Sequence, residues 1–170
     1  KSLYATANSM TLQNKHPFLT LILIVLLVVL ARTAEAQQIA LAVPQERTTL
    51  MEYVVKNRPV LADLLTKSGL APLLSGSAPL TLLAPPESAL QSIKQESPER
   101  LRVILSAHII KGSYLEKSLR DGAELPSVEG TKVTVCRKKD YTLVNGVRIQ
   151  QDGLQLKNGV LLELEGMFRM

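Results

Sequence analysis

The sequence predicts an α+β domain whose helices and strands segregate into separate layers. Three observations carry that reading. Apolar residues recur at helical spacing through most of residues 48–105. Lys132 to Arg137 alternates, with Val133 and Val135 on one face. The last third is punctuated by turn dipeptides, Asn145-Gly146 and Asn158-Gly159, instead of helix stops.

In chain order, the first feature is an apolar run, FLTLILIVLLVVLA at residues 18–31, preceded by Lys15 and His16 and followed by Ala34-Glu35-Ala36. A basic start, a short apolar stretch and a small-x-small site are the parts of a secretory signal peptide. A retained transmembrane anchor is the alternative, but a span needs about 20 apolar residues and this run has 14, closed by Arg32 and Glu35. The expected organisation is an upstream extension at 1–9, a signal peptide at 10–36 starting from Met10, a lead-in at 37–47 and a domain at 48–170. The expected destination is the extracellular space, the cell surface or a periplasm.

Within the domain, Thr48 or Thr49 can cap a first helix, and Glu52 completes a capping box with Thr49. Leu50, Val54 and Val55 form its stripe, and Asn57-Arg58-Pro59 breaks it. A second helix presents Val60, Leu61, Leu64 and Leu65 and stops at Gly69. One further short turn covers residues 70–74. Residues 80–84 are an apolar run ended by Pro85-Pro86 and read as a strand. Residues 86–93 read as helical. Ser97-Pro98-Glu99 opens another helix with a cap, a proline and an acid in the right order, and that helix carries Leu101, Ile104 and Leu105. His108-Ile109-Ile110 reads as a strand and residues 114–119 as a short helix. Residues 132–137 and 141–144 pair as a hairpin across Lys138-Lys139-Asp140. Residues 147–149 and 160–164 complete the strands.

Composition narrows the chemistry. Without the signal segment, 17 basic and 14 acidic residues remain, a net charge of +3, too mild for a nucleic-acid surface. Cys136 is the single cysteine, so no intrachain disulfide can form and about 134 residues must hold together by their core. His108 is the one histidine after the signal segment. With one His, one Cys and unpaired carboxylates, no catalytic constellation and no closed set of metal ligands is encoded. The expectation is a protein that is not an enzyme and needs no cofactor.

Four segments, in order and at the right spacing, resemble the fasciclin domain over about residues 49–168. TLLAPPESAL at 81–90 is similar to "TVFAPTNEAF". LSAHIIKG at 105–112 is similar to "LLYHVVPG". LPSVEG at 125–130 is similar to "LPTLAG". VNGV at 144–147 with NGVLLEL at 158–164 is similar to "VNGA … NGVIHVID". The resemblance implies a β-wedge of two sheets with a helical layer. It also implies adhesion or matrix attachment without a cofactor. Implied partners are an extracellular protein, a polysaccharide or a cell-surface component, with no nucleic acid and with membrane contact only through the signal segment. The departures fall on adhesion surfaces: Ala107 stands where the family often has Tyr, Leu162 replaces a second His, and Leu83 and Leu90 replace aromatics. The "DI" segment associated with receptor binding is matched loosely by Asp152-Gly153-Leu154.

Five residues are candidates for ligand contact. His108 is one, with the plainer reading that neighbouring backbone satisfies both ring nitrogens. Arg137, Lys138 and Lys139 form a basic hairpin tip, with Lys132 and Arg148 as neighbours, suited to acidic polysaccharide or anionic headgroups. The plainer reading is a solvated turn. Asp152 comes from the family resemblance. Cys136 reads as a small filler on the strand face away from Val133 and Val135, or as a cross-link in a homo-oligomer. Asn145, Gly146, Asn158 and Gly159 answer backbone requirements and are assigned no chemistry. The leading reading is a secreted adhesion module. The alternative is a structural scaffold of a wall, matrix or biofilm without a dedicated receptor.

Overall fold

The computed structural model describes residues 48–169. The expected extension, signal segment and lead-in lie outside the described residues.

Helix α1 (Leu50–Asn57) begins at Thr49. The Thr49 hydroxyl accepts from Glu52 N, and Glu52 returns a bond from Thr49 N at 2.6 Å, completing the capping box. It buries Leu50, Met51 and Val54. Val55, expected in that stripe, is 58% exposed, because the residue after Val54 lies about 100° further round the helix. After Arg58, Pro59 occupies the first position of α2 (Pro59–Lys67), which buries Leu61, Leu64 and Leu65. Helix α3 (Ala71–Ser75) is one turn. Strand β1 (Leu80–Ala84) follows, then α4 (Glu87–Leu90) running into a 3-10 turn (Gln91–Ile93). Helix α5 (Pro98–Ser106) has Ser97 as its cap, accepting from Arg100 N.

The remaining chain is strands: β2 (Ile109–Lys111), β3 (Glu124–Pro126), β4 (Lys132–Arg137), β5 (Thr142–Val144), β6 (Val147–Arg148), β7 (Leu154–Leu156) and β8 (Gly159–Glu163). A 3-10 turn (Glu116–Ser118) stands where a short helix is expected at 114–119. Strands β3 and β7 are additions to the sequence reading. Each has three residues, too few to show a period of two, and each forms because a longer neighbour offers it a ladder.

The strands form two four-stranded sheets, ordered β2-β1-β8-β7 and β3-β4-β5-β6. Every pair is antiparallel except β1 with β8, which runs parallel in the register Leu80↔Gly159 through Ala84↔Glu163. Two isolated bridges join the sheets, Ile110↔Ser127 and Ile149↔Leu164. The result is α+β, a wedge of two sheets with a helical layer. The first sheet separates two cores. Leu80, Leu82, Ala84 and Leu161 face the helices. Leu83, Val160 and Leu162 face the second sheet with Val133, Val135 and Val144. Covered on both faces, β1 is buried at all five positions, which is why its sequence reads as a continuous apolar run.

Asn158 and Gly159 do more than turn the chain. The Asn158 carboxamide accepts from Leu50 N at 2.8 Å and donates to the carbonyls of Leu74 at 2.8 Å and Gly76 at 2.7 Å. One side chain thus joins the start of α1, the end of α3 and the β7–β8 turn. At Gly159 a Cβ would stand 1.9 Å from the Leu80 carbonyl oxygen, so the parallel pairing begins on a glycine. Asn145 has φ 46° and Gly146 φ 79°, the left-handed pair of a tight hairpin turn.

Replacing Asn158 with Ala strands one buried donor and two acceptors, each costing about 1–3 kcal/mol. Urea unfolding of Asn158→Ala is expected to show a loss of at least ~3 kcal/mol. Asn145→Ala loses one solvent-exposed bond, to Thr134 N, and should lose about 1 kcal/mol. Equal losses for the two would contradict the central role of Asn158.

Candidate functional site

The β4–β5 hairpin carries Arg137, Lys138 and Lys139. It closes through Lys138 N donating to the Tyr141 carbonyl at 2.8 Å. Beside it lies a cleft of about 250 Å³, lined by the hairpin, by Glu116 and by Arg148 through Asp152. The structure therefore brings four of the five sequence candidates to one place: Arg137, Lys138, Lys139 and Asp152.

They do not stand there in the same way. The Arg137 guanidinium donates to the carbonyls of Leu119 at 2.9 Å and Lys117 at 3.3 Å, and its backbone N–H is taken by the Asp121 carboxylate at 2.7 Å. Arg137 fastens the Glu116–Ser118 turn to the hairpin. The side chains of Lys138 and Lys139 make no hydrogen bond or ion pair among the described residues. The Asp152 carboxylate is equally unengaged, and its backbone carbonyl accepts from Glu116 N at 3.3 Å. The Glu116 carboxylate accepts from the Thr142 hydroxyl, so both cleft walls are tied.

Of the two neighbours expected near the tip, Arg148 is in the cleft and Lys132 is not. Arg148 lies 5.0 Å over the Tyr141 ring and 3.7 Å from Glu165. Lys132 bonds Glu124 at 2.6 Å across the β3–β4 ladder, and that hydrogen bond, with the charge behind it, raises the ammonium pKa. Tyr141, Glu116, Gln150 and Gln151 also line the cleft. Tyr141 was within reach of sequence reasoning as a hairpin residue. Nothing in the sequence placed Glu116 or the two glutamines there, since they arrive from a separate turn and from the link between β6 and β7.

His108 lies elsewhere and is 1% exposed. Nδ1 stands 2.9 Å from the Ile104 carbonyl, and Nε2 lies 3.2 Å from Phe168 N. A carbonyl only accepts and a backbone N–H only donates, so the ring is neutral, with its proton on Nδ1. Phe168 stacks on the imidazole at 4.2 Å between centroids. The ring therefore has neither a free nitrogen nor an open face. Burial pushes its pKa down to about 4, against a weaker upward pull from the Ile104 bond. Cys136 is a free, half-buried thiol on β4. Among the described residues no group of three His, Cys, Asp or Glu side chains is placed to hold a metal ion.

Residues 56–168 match the sequence profile of the Fasciclin domain. The chain belongs to the fasciclin domain family. Two curated relatives are similar to it over 102 residues, both named transforming growth factor-beta-induced protein ig-h3. The one from Sus scrofa is 34% identical and the one from Oryctolagus cuniculus 31%. Each match covers 55% of this chain and 15% of the relative, so this chain corresponds to a small part of those proteins. Among solved structures, a FAS1 domain pair from the insect cell adhesion molecule fasciclin I superposes with a TM-score of 0.58. That match has 15% identity and covers 74% of this chain and 52% of that one. At that identity the likeness establishes the fold. The fasciclin landmark "LSAHIIKG" thus contains His108 as the bond between α5, β2 and the Phe168 segment.

The neutral His108 sets a pH dependence. Its folded pKa lies below the unfolded value of about 6.5, so the unfolded chain binds the extra proton in between. The stability it confers is complete above pH ~6.5 and falls as pH drops toward 4, by about 3 kcal/mol. Urea titrations across that window should show this slope, and His108→Gln should flatten it relative to the parent protein. Parallel slopes in the two proteins would contradict the assignment.

Proposed function

We propose that this fasciclin domain is a secreted, non-catalytic adhesion module that attaches to an anionic extracellular partner through the cleft beside the Arg137–Lys139 hairpin. The observation that carries the reading is the pair Lys138 and Lys139, two cations with no partner among the described residues, on the lip of a tied cleft that also holds Arg148 and Asp152. Surface lysines without an ion pair attract anions at long range, in a salt-dependent way. Other facts support the role. The insect relative is named a cell adhesion molecule. The residues at 10–36 have the pattern of an export signal. Both nitrogens of His108, the natural general base, are spent on backbone groups. In this reading Arg137 shapes the site and Lys138 and Lys139 meet the ligand with Asp152, while His108 takes no part in binding.

The test is attachment of the full-length chain to immobilised matrix proteins, polysaccharides and anionic vesicles at low and high salt. Saturable, salt-sensitive binding is expected. It should weaken about fivefold to tenfold in the Lys138→Ala/Lys139→Ala double variant, as suits the loss of two exposed ion pairs. Arg137 is left intact because its removal would free the Lys117 and Leu119 carbonyls. A folded protein that binds none of these surfaces would sink the adhesion reading in favour of a scaffold role.

A further inference from the structure

The hairpin cleft is almost electrically neutral. Four cations, Arg137, Lys138, Lys139 and Arg148, share it with three carboxylates, Glu116, Asp140 and Asp152. A basic residue near an anionic membrane contributes about 1 kcal/mol, and each acid beside it offsets a similar amount. Arg137 is moreover occupied with backbone carbonyls. A membrane or a densely charged polyanion would gain little here.

The unengaged groups indicate a different ligand. Lys138 and Lys139 can only donate, Asp140 and Asp152 can only accept, and Gln150 and Gln151 do both. None of these six side chains has a hydrogen-bond or ion-pair partner among the described residues. Hydroxyl groups donate and accept, so a polyhydroxylated ligand bearing occasional anions satisfies the whole set. A protein partner would instead be held by apolar or aromatic anchors in a desolvated pocket. Tyr141, 40% exposed, is the one large apolar-bodied side chain exposed at this cleft, whereas Val55 and Val103 belong to helices that do not line it. At about 250 Å³ the cleft is smaller than a typical small-molecule pocket of ~300–1,000 Å³, which suits a segment of a polymer. Its walls are preformed by the Arg137, Glu116–Thr142 and Glu116–Asp152 bonds, so little ordering cost attends binding.

We propose that this cleft binds a sparsely charged acidic polysaccharide of the uronic-acid class. Lys138 and Lys139 take its carboxylates, while Asp140, Asp152 and the two glutamine amides take its hydroxyls. The assignment rests on the adhesion reading above and names the ligand of that same site.

The decisive variant is Asp152→Asn, which removes a negative charge without changing size and touches no side-chain bond of the fold. Binding of a partly methyl-esterified oligogalacturonate, whose free carboxylates are sparse, to the chain is measured by titration calorimetry, beside its full methyl ester, heparin and vesicles containing phosphatidylserine. Saturable binding of the oligogalacturonate is expected, weaker for the full methyl ester and weaker in the Lys138→Ala/Lys139→Ala variant. Asp152→Asn should weaken it about tenfold, as expected when a charged acceptor of a ligand hydroxyl is lost. Unchanged or tighter binding by Asp152→Asn would show that net charge alone governs attachment and would overturn the proposal. So would tighter capture of heparin than of the oligogalacturonate. If vesicles or matrix proteins bind and the oligosaccharide does not, the ligand class falls and the adhesion reading stands. If nothing binds, both fall.

Discussion

The parallel pairing of β1 with β8 is the constraint on which the rest of this domain depends. It joins residues 79 positions apart in the chain, Leu80 with Gly159 at one end and Ala84 with Glu163 at the other. Closing so long a loop is costly in entropy, and the pairing is fastened at both ends. At the start, Gly159 lets the two backbones meet and Asn158 ties them to α1 and α3. At the finish, the Arg58 guanidinium bonds Glu163 at 2.9 Å, Glu87 at 3.4 Å and the Pro85 carbonyl at 2.5 Å. The helical layer is thus held to both ends of the strand pair by polar groups, and in between by leucines.

Because these two strands lie between two cores, they must be apolar on both faces, and the second sheet is free to project away. Its β4–β5 hairpin reaches solvent, where nothing in the core dictates side-chain type. That division explains how a structure sharing 15% identity with this chain can share its fold. Packing demands volume and pattern, which many sequences supply. Ligand chemistry demands particular groups, and in the reading proposed above those sit on the hairpin and on the link between β6 and β7. His108 belongs to the packing side of the division: it is a polar residue placed where the α5 end, β2 and the Phe168 segment need one hydrogen-bond donor and one acceptor.

Much of the fold was legible from local rules, because the deciding interactions lie within a few residues. The Thr49–Glu52 capping box, the Ser97-Pro98-Glu99 helix start, the Lys132–Arg137 alternation and the apolar run of β1 are of this kind. Val55 lies one helical step outside the buried stripe that its apolar type suggests. The three-residue strands β3 and β7 gave no periodic signal, as their backbone groups are satisfied by partners supplied from elsewhere.

For the site, the sequence alone determined the charges of the hairpin tip, and that His108 is the one histidine after residue 36 and Cys136 the single cysteine. It also determined the Asn-Gly steps and the family landmarks. Only the tertiary structure decided what those residues do. It buried His108 and committed Arg137 to the Lys117 and Leu119 carbonyls. It turned Lys132 toward Glu124 and gathered Glu116, Arg148 and Asp152 around Lys138 and Lys139. It made Asn158 the junction of three elements. The reason is physical. Turn and strand preferences act over a few residues, whereas the partners of these side chains come from segments that meet only after the sheets have formed.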